Sequence, residues 1–144
     1  MKPSSIGGPG GLRMIDRTRR VLVVDDSALV RHWMRHVLEP AGFELEEALN
    51  GIEALEKALA GGFDLSIVDV NMPRMDGMTF LRTLRRQPLP IGGTPALVAS
   101  TESGPQDREA ARRAGANFYL VKPLDEATLL AHVAALTGAP AWMP

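Results

Sequence analysis

Four short apolar runs in this 144-residue chain end in side chains that can do chemistry. Asp25 and Asp26 follow the run 21–24, Asp69 follows 65–68, Ser100 and Thr101 follow 96–99, and Lys122 follows 118–121. Three carboxylates brought together repel one another by about 1 kcal/mol per pair at 4 Å in water, and by roughly 4 kcal/mol at an effective dielectric of 20. Lys122 offsets one of those charges. The two left over match a divalent ion, and a donor set made of oxygens favours Mg²⁺ over softer metals. A carboxylate beside Mg²⁺, a hydroxyl and an ammonium is equipped to accept a phosphoryl group, because that transfer depends on positioning and on neutralising the oxygens of a metaphosphate-like transition state. Aspartate is among the side chains that form such covalent intermediates. A water-accessible acyl phosphate also hydrolyses, so the modification is expected to be transient.

These side chains meet only if the runs they terminate lie side by side with their carboxyl ends on one edge. After the run 21–24, Leu29, Val30, Trp33, Val37 and Leu38 recur at the spacing of one helix face. The segment 43–48 reads as a weaker, more polar strand whose charged neighbours suggest a sheet edge. A helix carrying Ile52, Leu55 and Leu59 follows Gly51. The run 65–68 closes on Asp69, and Met78, Leu81 and Leu84 mark the next helix, which Pro88 terminates. The run 96–99, a helix over about 105–114, the run 118–121 and a helix carrying Leu129, Leu130, Val133 and Leu136, stopped by Gly138, complete the pattern. Five strand–helix units with continuously apolar strands predict an α/β fold, a doubly wound five-stranded parallel sheet covered by helices on both faces. Right-handed crossovers place every strand's carboxyl end on one edge, where such folds bind ligands.

Composition excludes much else. With 16 basic and 17 acidic side chains the net charge is −1, far from the basic surplus of a dedicated nucleic-acid binder. The absence of cysteine removes disulfides, thiol nucleophiles, iron–sulfur clusters and cysteine-ligated zinc. No apolar run approaches the roughly 18 residues of a membrane span, and the amino terminus lacks a signal-peptide core, so a cytoplasmic protein without membrane insertion is expected. Residues 1–18, rich in glycine and proline, read as a flexible tail, 19–137 as the folded domain and 138–144 as a second tail. Arg13, Arg17, Arg19 and Arg20 are read as a solvated tail rather than a contact for nucleic acid or anionic lipid. Trp142 is either an exposed docking peptide or without a role. His32 and His36 share a helix face without a third ligand and read as ordinary surface positions.

Taken together, Val23-Val24-Asp25-Asp26-Ser27, Ile67-Val68-Asp69-Val70-Asn71-Met72-Pro73-Arg74-Met75-Asp76-Gly77, Ser100 and Lys122-Pro123 resemble the receiver domain of two-component response regulators, over the whole of about 19–137. The resemblance implies a flavodoxin-like (βα)5 fold with strand order 2-1-3-4-5. It implies that Asp69 is the phosphoacceptor, and that Asp26, Asp69 and the backbone carbonyl of Asn71 bind Mg²⁺ with Asp25 helping through water. Ser100 would hold one phosphoryl oxygen and Lys122 pair with another. Asn71 and Glu102 would tune self-hydrolysis. Thr101 stands where the family usually has a small residue, and its bulk is expected to hinder attacking water. Ser100 and Tyr119 would form the switch that changes the surface made by the fourth helix, fifth strand and fifth helix. Tyr119 reads equally well as core filler. The segment 104–114, with no apolar side chain larger than alanine apart from Pro105, should dock weakly and is the natural moving part. Leu124 departs from the family, which often has Phe after Lys-Pro.

The expected function is a stand-alone, CheY-like regulator of chemotaxis type. It would take phosphate from a histidine kinase and signal by phosphorylation-dependent binding of an output protein, such as a flagellar motor switch protein. The end of the folded pattern near 137 is read as leaving no room for a DNA-binding effector, unless the chain is a fragment of a larger regulator in another pathway. A phosphorelay intermediate is the alternative. An Mg²⁺-dependent phosphatase would need a second aspartate two residues after Asp69, and position 71 is asparagine. The protein is therefore expected to catalyse only its own phosphorylation and dephosphorylation.

Overall fold

A computed structural model describes residues 18–139. The elements run β1 (Arg20–Val24), α1 (Ala28–Leu38), β2 (Glu44–Ala48), α2 (Gly51–Ala60), β3 (Leu65–Asp69), α3 (Gly77–Arg85), a 3-10 turn (Ile91–Gly93), β4 (Ala96–Ser100), α4 (Pro105–Ala114), β5 (Phe118–Val121) and α5 (Glu126–Thr137). The strands form one parallel sheet in the order β2-β1-β3-β4-β5, as expected, with the polar β2 at an edge. The expectations for residues 1–17 and 140–144, among them Arg13, Arg17 and Trp142, lie outside the described residues.

Successive strand residues point to opposite faces, and the core is accordingly two layers. Val21, Val23, Leu65, Ile67 and Leu97 face α1 and α5, where Met34, Leu38, Leu129 and Val133 pack on them. Leu22, Val24, Val68 and Val98 face α2, α3 and α4, meeting Ala54, Phe80, Leu81, Leu84 and Ala111. Of α4 only Ala111 and Ala114 are buried, which agrees with the weak docking its composition implies. Four helices start on a side-chain cap, from Ser27, Asn50, Asp76 and Asp125.

Three expectations need correction. Leu29 is 79% exposed rather than part of the buried stripe of α1, which is Arg31, Met34, Val37 and Leu38. In α2 the buried positions are Gly51, Ala54 and Ala58, whereas Ile52 and Leu59 face outward. Small side chains on that face let α2 lie close to the sheet and to α3. Arg19 and Arg20 are not a solvated tail. Arg19 donates to the carbonyls of Thr137 and Gly138, tying the start of β1 to the end of α5. Arg20 lies over the Phe63 ring and pairs with Glu44 and Glu46.

The amino-terminal edge of the sheet is gathered by one side chain. Arg85 Nε and Nη2 donate to the Gly115 carbonyl (3.0 and 2.7 Å), and Nη1 donates to the carbonyls of Gly92 and Thr94 (3.0 and 2.6 Å). Its Nη2 also reaches Asn117 Oδ1, which accepts the Ala96 amide (3.2 and 2.8 Å). Truncation would strand several half-buried carbonyls, each costing about 1–3 kcal/mol when left unpaired. Arg85→Ala is therefore expected to lower the unfolding free energy by about 3 kcal/mol. Lysine, a point donor without the planar fork, should recover less than half of it; denaturant unfolding of both variants measures the difference.

Candidate functional site

Register decides which side chains converge. Val24 pairs with Val68, so Asp25, one residue on, stands level with Asp69 on the neighbouring strand. Asp69 pairs with Ala99 and Ser100 with Val121, which brings Ser100 and Lys122 to the same edge; the Lys122 amide donates to the Ser100 carbonyl at 2.7 Å. Four of the expected residues come together here. Asp25, Asp26 and Asp69 each offer an oxygen within 4.8 Å of the others. Lys122 Nζ donates to Asp25 Oδ2 at 2.8 Å and to Asp69 Oδ1 at 3.1 Å.

The environments of the three aspartates differ. Asp25 is only 2% exposed; Lys122 holds one of its oxygens and the Ser27 amide donates to the other at 2.9 Å. Ser27, not either aspartate, is the cap of α1, so the acidic pair is free of the bland role that two aspartates before a helix often have. Asp26 is exposed and Asp69 lies between the two. Burial, and then the charge of Asp25, push the Asp69 carboxyl above its ordinary value, against the pull of Lys122. Burial alone would lower the Lys122 ammonium; hydrogen bonds and charge from Asp25 and Asp69 outweigh it and hold it above the usual lysine value. Three negative groups against one positive leave the cluster short of two charges, and the all-oxygen donor set fits a hard divalent ion.

The loop after β3 is positioned by close backbone packing. A Cβ on Gly77 would stand 2.1 Å from the Asp69 carbonyl oxygen, so only glycine fits at the start of α3, where its amide donates to the Val70 carbonyl. The Gly51 amide donates to the Met75 carbonyl at 2.9 Å, which ties the same loop to the start of α2. Asn71 lies exposed on this loop.

On the other side, Ser100 is 1% exposed and its Oγ accepts the Glu102 amide at 3.1 Å. Thr101 and Glu102 are exposed. Tyr119 is more than filler. Its ring packs on the core layer that faces α2, α3 and α4 while its hydroxyl donates to the Glu102 carbonyl at 2.7 Å, with the Arg108 guanidinium 5.2 Å above the ring. Ser100 and Tyr119 thus hold the same short loop from opposite ends. Beside Lys122 and Thr101 opens an apolar groove of about 630 Å³ walled by Leu29, Trp33 and Leu124.

Sequence reasoning passed over Arg31, which is 9% exposed and donates from Nη1 to the Asp25 carbonyl at 2.6 Å and from Nε to Glu47 Oε1 at 2.8 Å. The signal was present: positions 31, 34 and 38 form one helical stripe, and an arginine on a stripe with Met34 and Leu38 must have buried partners.

With this geometry in place, likeness to known proteins is informative. The family described as response regulator receiver domain matches residues 21–134. The transcriptional regulatory protein PrrA of Mycobacterium tuberculosis is 41% identical over 117 residues, covering 81% of this chain and 49% of PrrA. The chain thus spans about half the length of the curated relatives it matches. The chemotaxis protein CheY4 of Vibrio cholerae superposes with a TM-score of 0.78 at 40% identity, over 83% of this chain and 99% of that one. A putative response regulator from Chloroflexus aurantiacus reaches 0.80 at 32% identity, over 85% and 99%.

A carboxyl whose folded-state pKa is raised adds stability at acid pH, and that stability is lost as the pH rises from the unfolded value through the folded one. Asp69→Asn removes the charge and with it that loss. In a chelator at neutral pH the variant is expected to unfold on the order of 2–4 °C above the wild type, with the gap closing below the ordinary carboxyl range. Thermal unfolding followed against pH checks both.

Proposed function

Starting from a chain that belongs to the response regulator receiver domain family, we propose that Asp69 accepts a phosphoryl group from the phosphohistidine of a histidine kinase. The chain is the receiver domain of a two-component response regulator, a class that stands between such a kinase and a downstream effector. The observation that carries the proposal is the Lys122 ammonium seated between Asp25 and Asp69 at the edge of a three-carboxylate cluster. In the transfer, an oxygen of Asp69 bonds to phosphorus as the donor's phosphorus–nitrogen bond breaks and the imidazole leaves. Lys122 moves from carboxylate to phosphoryl oxygen, and the Ser100 hydroxyl gives up the Glu102 amide to donate to another. Asp25, Asp26, Asp69 and the Asn71 carbonyl would hold Mg²⁺, which when bound neutralises the phosphoryl oxygens.

The rest of the cycle follows from the neighbours. Asn71, Thr101 and Glu102 line the approach of water and set the lifetime of the acyl phosphate. Ser100, drawn toward the phosphoryl group, changes the loop that Tyr119 binds, and the signal leaves through α4, β5 and α5. We place this activity in the cytoplasm; among the described residues no helix is long and apolar enough to cross a membrane. The protein turns over no separate substrate, catalysing only its own phosphorylation and dephosphorylation, and binds no nucleic acid through this domain.

For output, likeness to CheY4 along nearly all of that chain supports phosphorylation-dependent protein binding of chemotaxis type, with a flagellar motor switch protein as the candidate partner. Likeness to PrrA over 49% of its length supports a second reading, the receiver part of a transcriptional regulator. A phosphorelay intermediate would be distinguished by rapid return of phosphate to a histidine.

Incubation with phosphoramidate and Mg²⁺ is expected to phosphorylate the wild type, to leave Asp69→Asn unmodified, and to slow by about 100-fold or more for Lys122→Ala, whose loss removes a preorganised charge. Undiminished phosphorylation of Asp69→Asn would overturn the assignment. Capture of partners with the beryllofluoride-treated protein separates the output readings, since the reading of chemotaxis type requires a flagellar switch protein among them.

A further inference from the structure

We propose that Arg31 is a positioning residue for the divalent-ion site, acting by holding the peptide group between Asp25 and Asp26. The proposal rests on the reading above, that these carboxylates bind Mg²⁺.

Asp25 is fixed at every polar atom. Its amide donates to the Ala48 carbonyl at 3.1 Å, its two carboxylate oxygens take the Ser27 amide and Lys122, and its carbonyl takes Arg31 Nη1. The first and last of these reach β2, because the Arg31 guanidinium is itself anchored on Glu47. Glu47 in turn accepts Arg35 through Oε2, from Nε at 2.9 Å and Nη2 at 2.8 Å, and Arg35 also pairs with Glu39. Asp26 is held differently: it is exposed, and its carboxylate makes no hydrogen bond among the described residues. Its place near Asp69 is therefore set by the backbone, and the plane of the peptide joining it to Asp25 is the plane that Arg31 grips. Rotation of that plane would swing the Asp26 carboxylate out of the cluster while leaving Asp25 on Lys122.

Arg31 could instead be a brace between α1 and β2 with no bearing on the ion, or simply a positive charge near the pocket. The three roles separate by sign. A nearby cation repels Mg²⁺, so losing its charge would tighten binding. Losing a brace would lower stability and leave binding unchanged. Losing a positioning contact weakens binding in a protein that is still folded, as happens when residues behind metal ligands are replaced.

The test is calorimetric titration of the full chain with Mg²⁺, at a temperature well below the unfolding midpoint of each variant. Arg31→Met, which keeps the apolar bulk, should bind Mg²⁺ about ten- to a hundredfold more weakly than the wild type. Arg31→Lys, able to donate to the carbonyl but not to span both partners, should recover part of that loss. Glu47→Gln should weaken binding severalfold, and Arg85→Lys, at the opposite edge of the sheet, should lose stability with its Mg²⁺ affinity unchanged. Equal or tighter binding by folded Arg31→Met overturns the proposal. Should that variant fail to fold, wild-type affinity in both Arg31→Lys and Glu47→Gln overturns it. A wild type that binds no Mg²⁺ overturns the reading beneath it as well, and that result is visible before any variant is measured.

Discussion

One electrostatic constraint governs this molecule: three carboxylates share a pocket with a single ammonium. The pocket cannot relax by spreading apart, because Asp25 and Asp69 end adjacent strands in fixed register and Lys122 is seated between them. It cannot relax by solvation either, since Asp25 is nearly out of contact with water. What remains is to recruit positive charge or to disfavour ionisation, and the raised Asp69 carboxyl shows the second response in the protein alone. The same frustration makes the site receptive to a dication and to a group with oxygens that need neutralising. Reactivity here is a debt of charge left open by the fold.

Holding that cluster together falls mainly to the backbone. Gly77 lies against the carbonyl of Asp69, Gly51 lies against Met75, and the guanidinium of Arg31 closes on the carbonyl of Asp25. None of these contacts involves the carboxylates directly, yet each fixes the chain from which a carboxylate projects. Like-charged groups can be kept close only by a frame stiffer than their repulsion, and parallel strands flanked by two packed layers supply it.

The fold and the central site were largely legible in the sequence. Continuous apolar runs alternating with helical stripes determined the strand–helix order, and the residues at the run ends, Asp25, Asp26, Asp69, Ser100 and Lys122, are those found at the carboxyl edge. What was illegible depended on distance rather than pattern. Leu29, Ile52 and Leu59 satisfied helical spacing but face outward, because alanines and an arginine occupy the inner positions where the helix comes close. Arg19, Arg20 and Arg85 carry nothing in their local sequence that reveals the carbonyls of Gly138, Gly61 and Gly115, brought to them from 119, 41 and 30 positions away. The shared grip of Ser100 and Tyr119 on one loop likewise belongs to three dimensions, since the carbonyl that Tyr119 binds is 17 residues distant.

The Arg85 clamp and the acidic pocket occupy opposite rims of one sheet, and this separation has a meaning for how such a protein can change. Five hydrogen bonds to four acceptors at the amino-terminal rim offset the strain of crowding charge at the other. Loops at the carboxyl rim are then at liberty to vary in length and chemistry, because the integrity of the domain does not hang on them. A lineage could retune the speed of the chemistry, or the identity of the protein addressed, without first having to repair its fold.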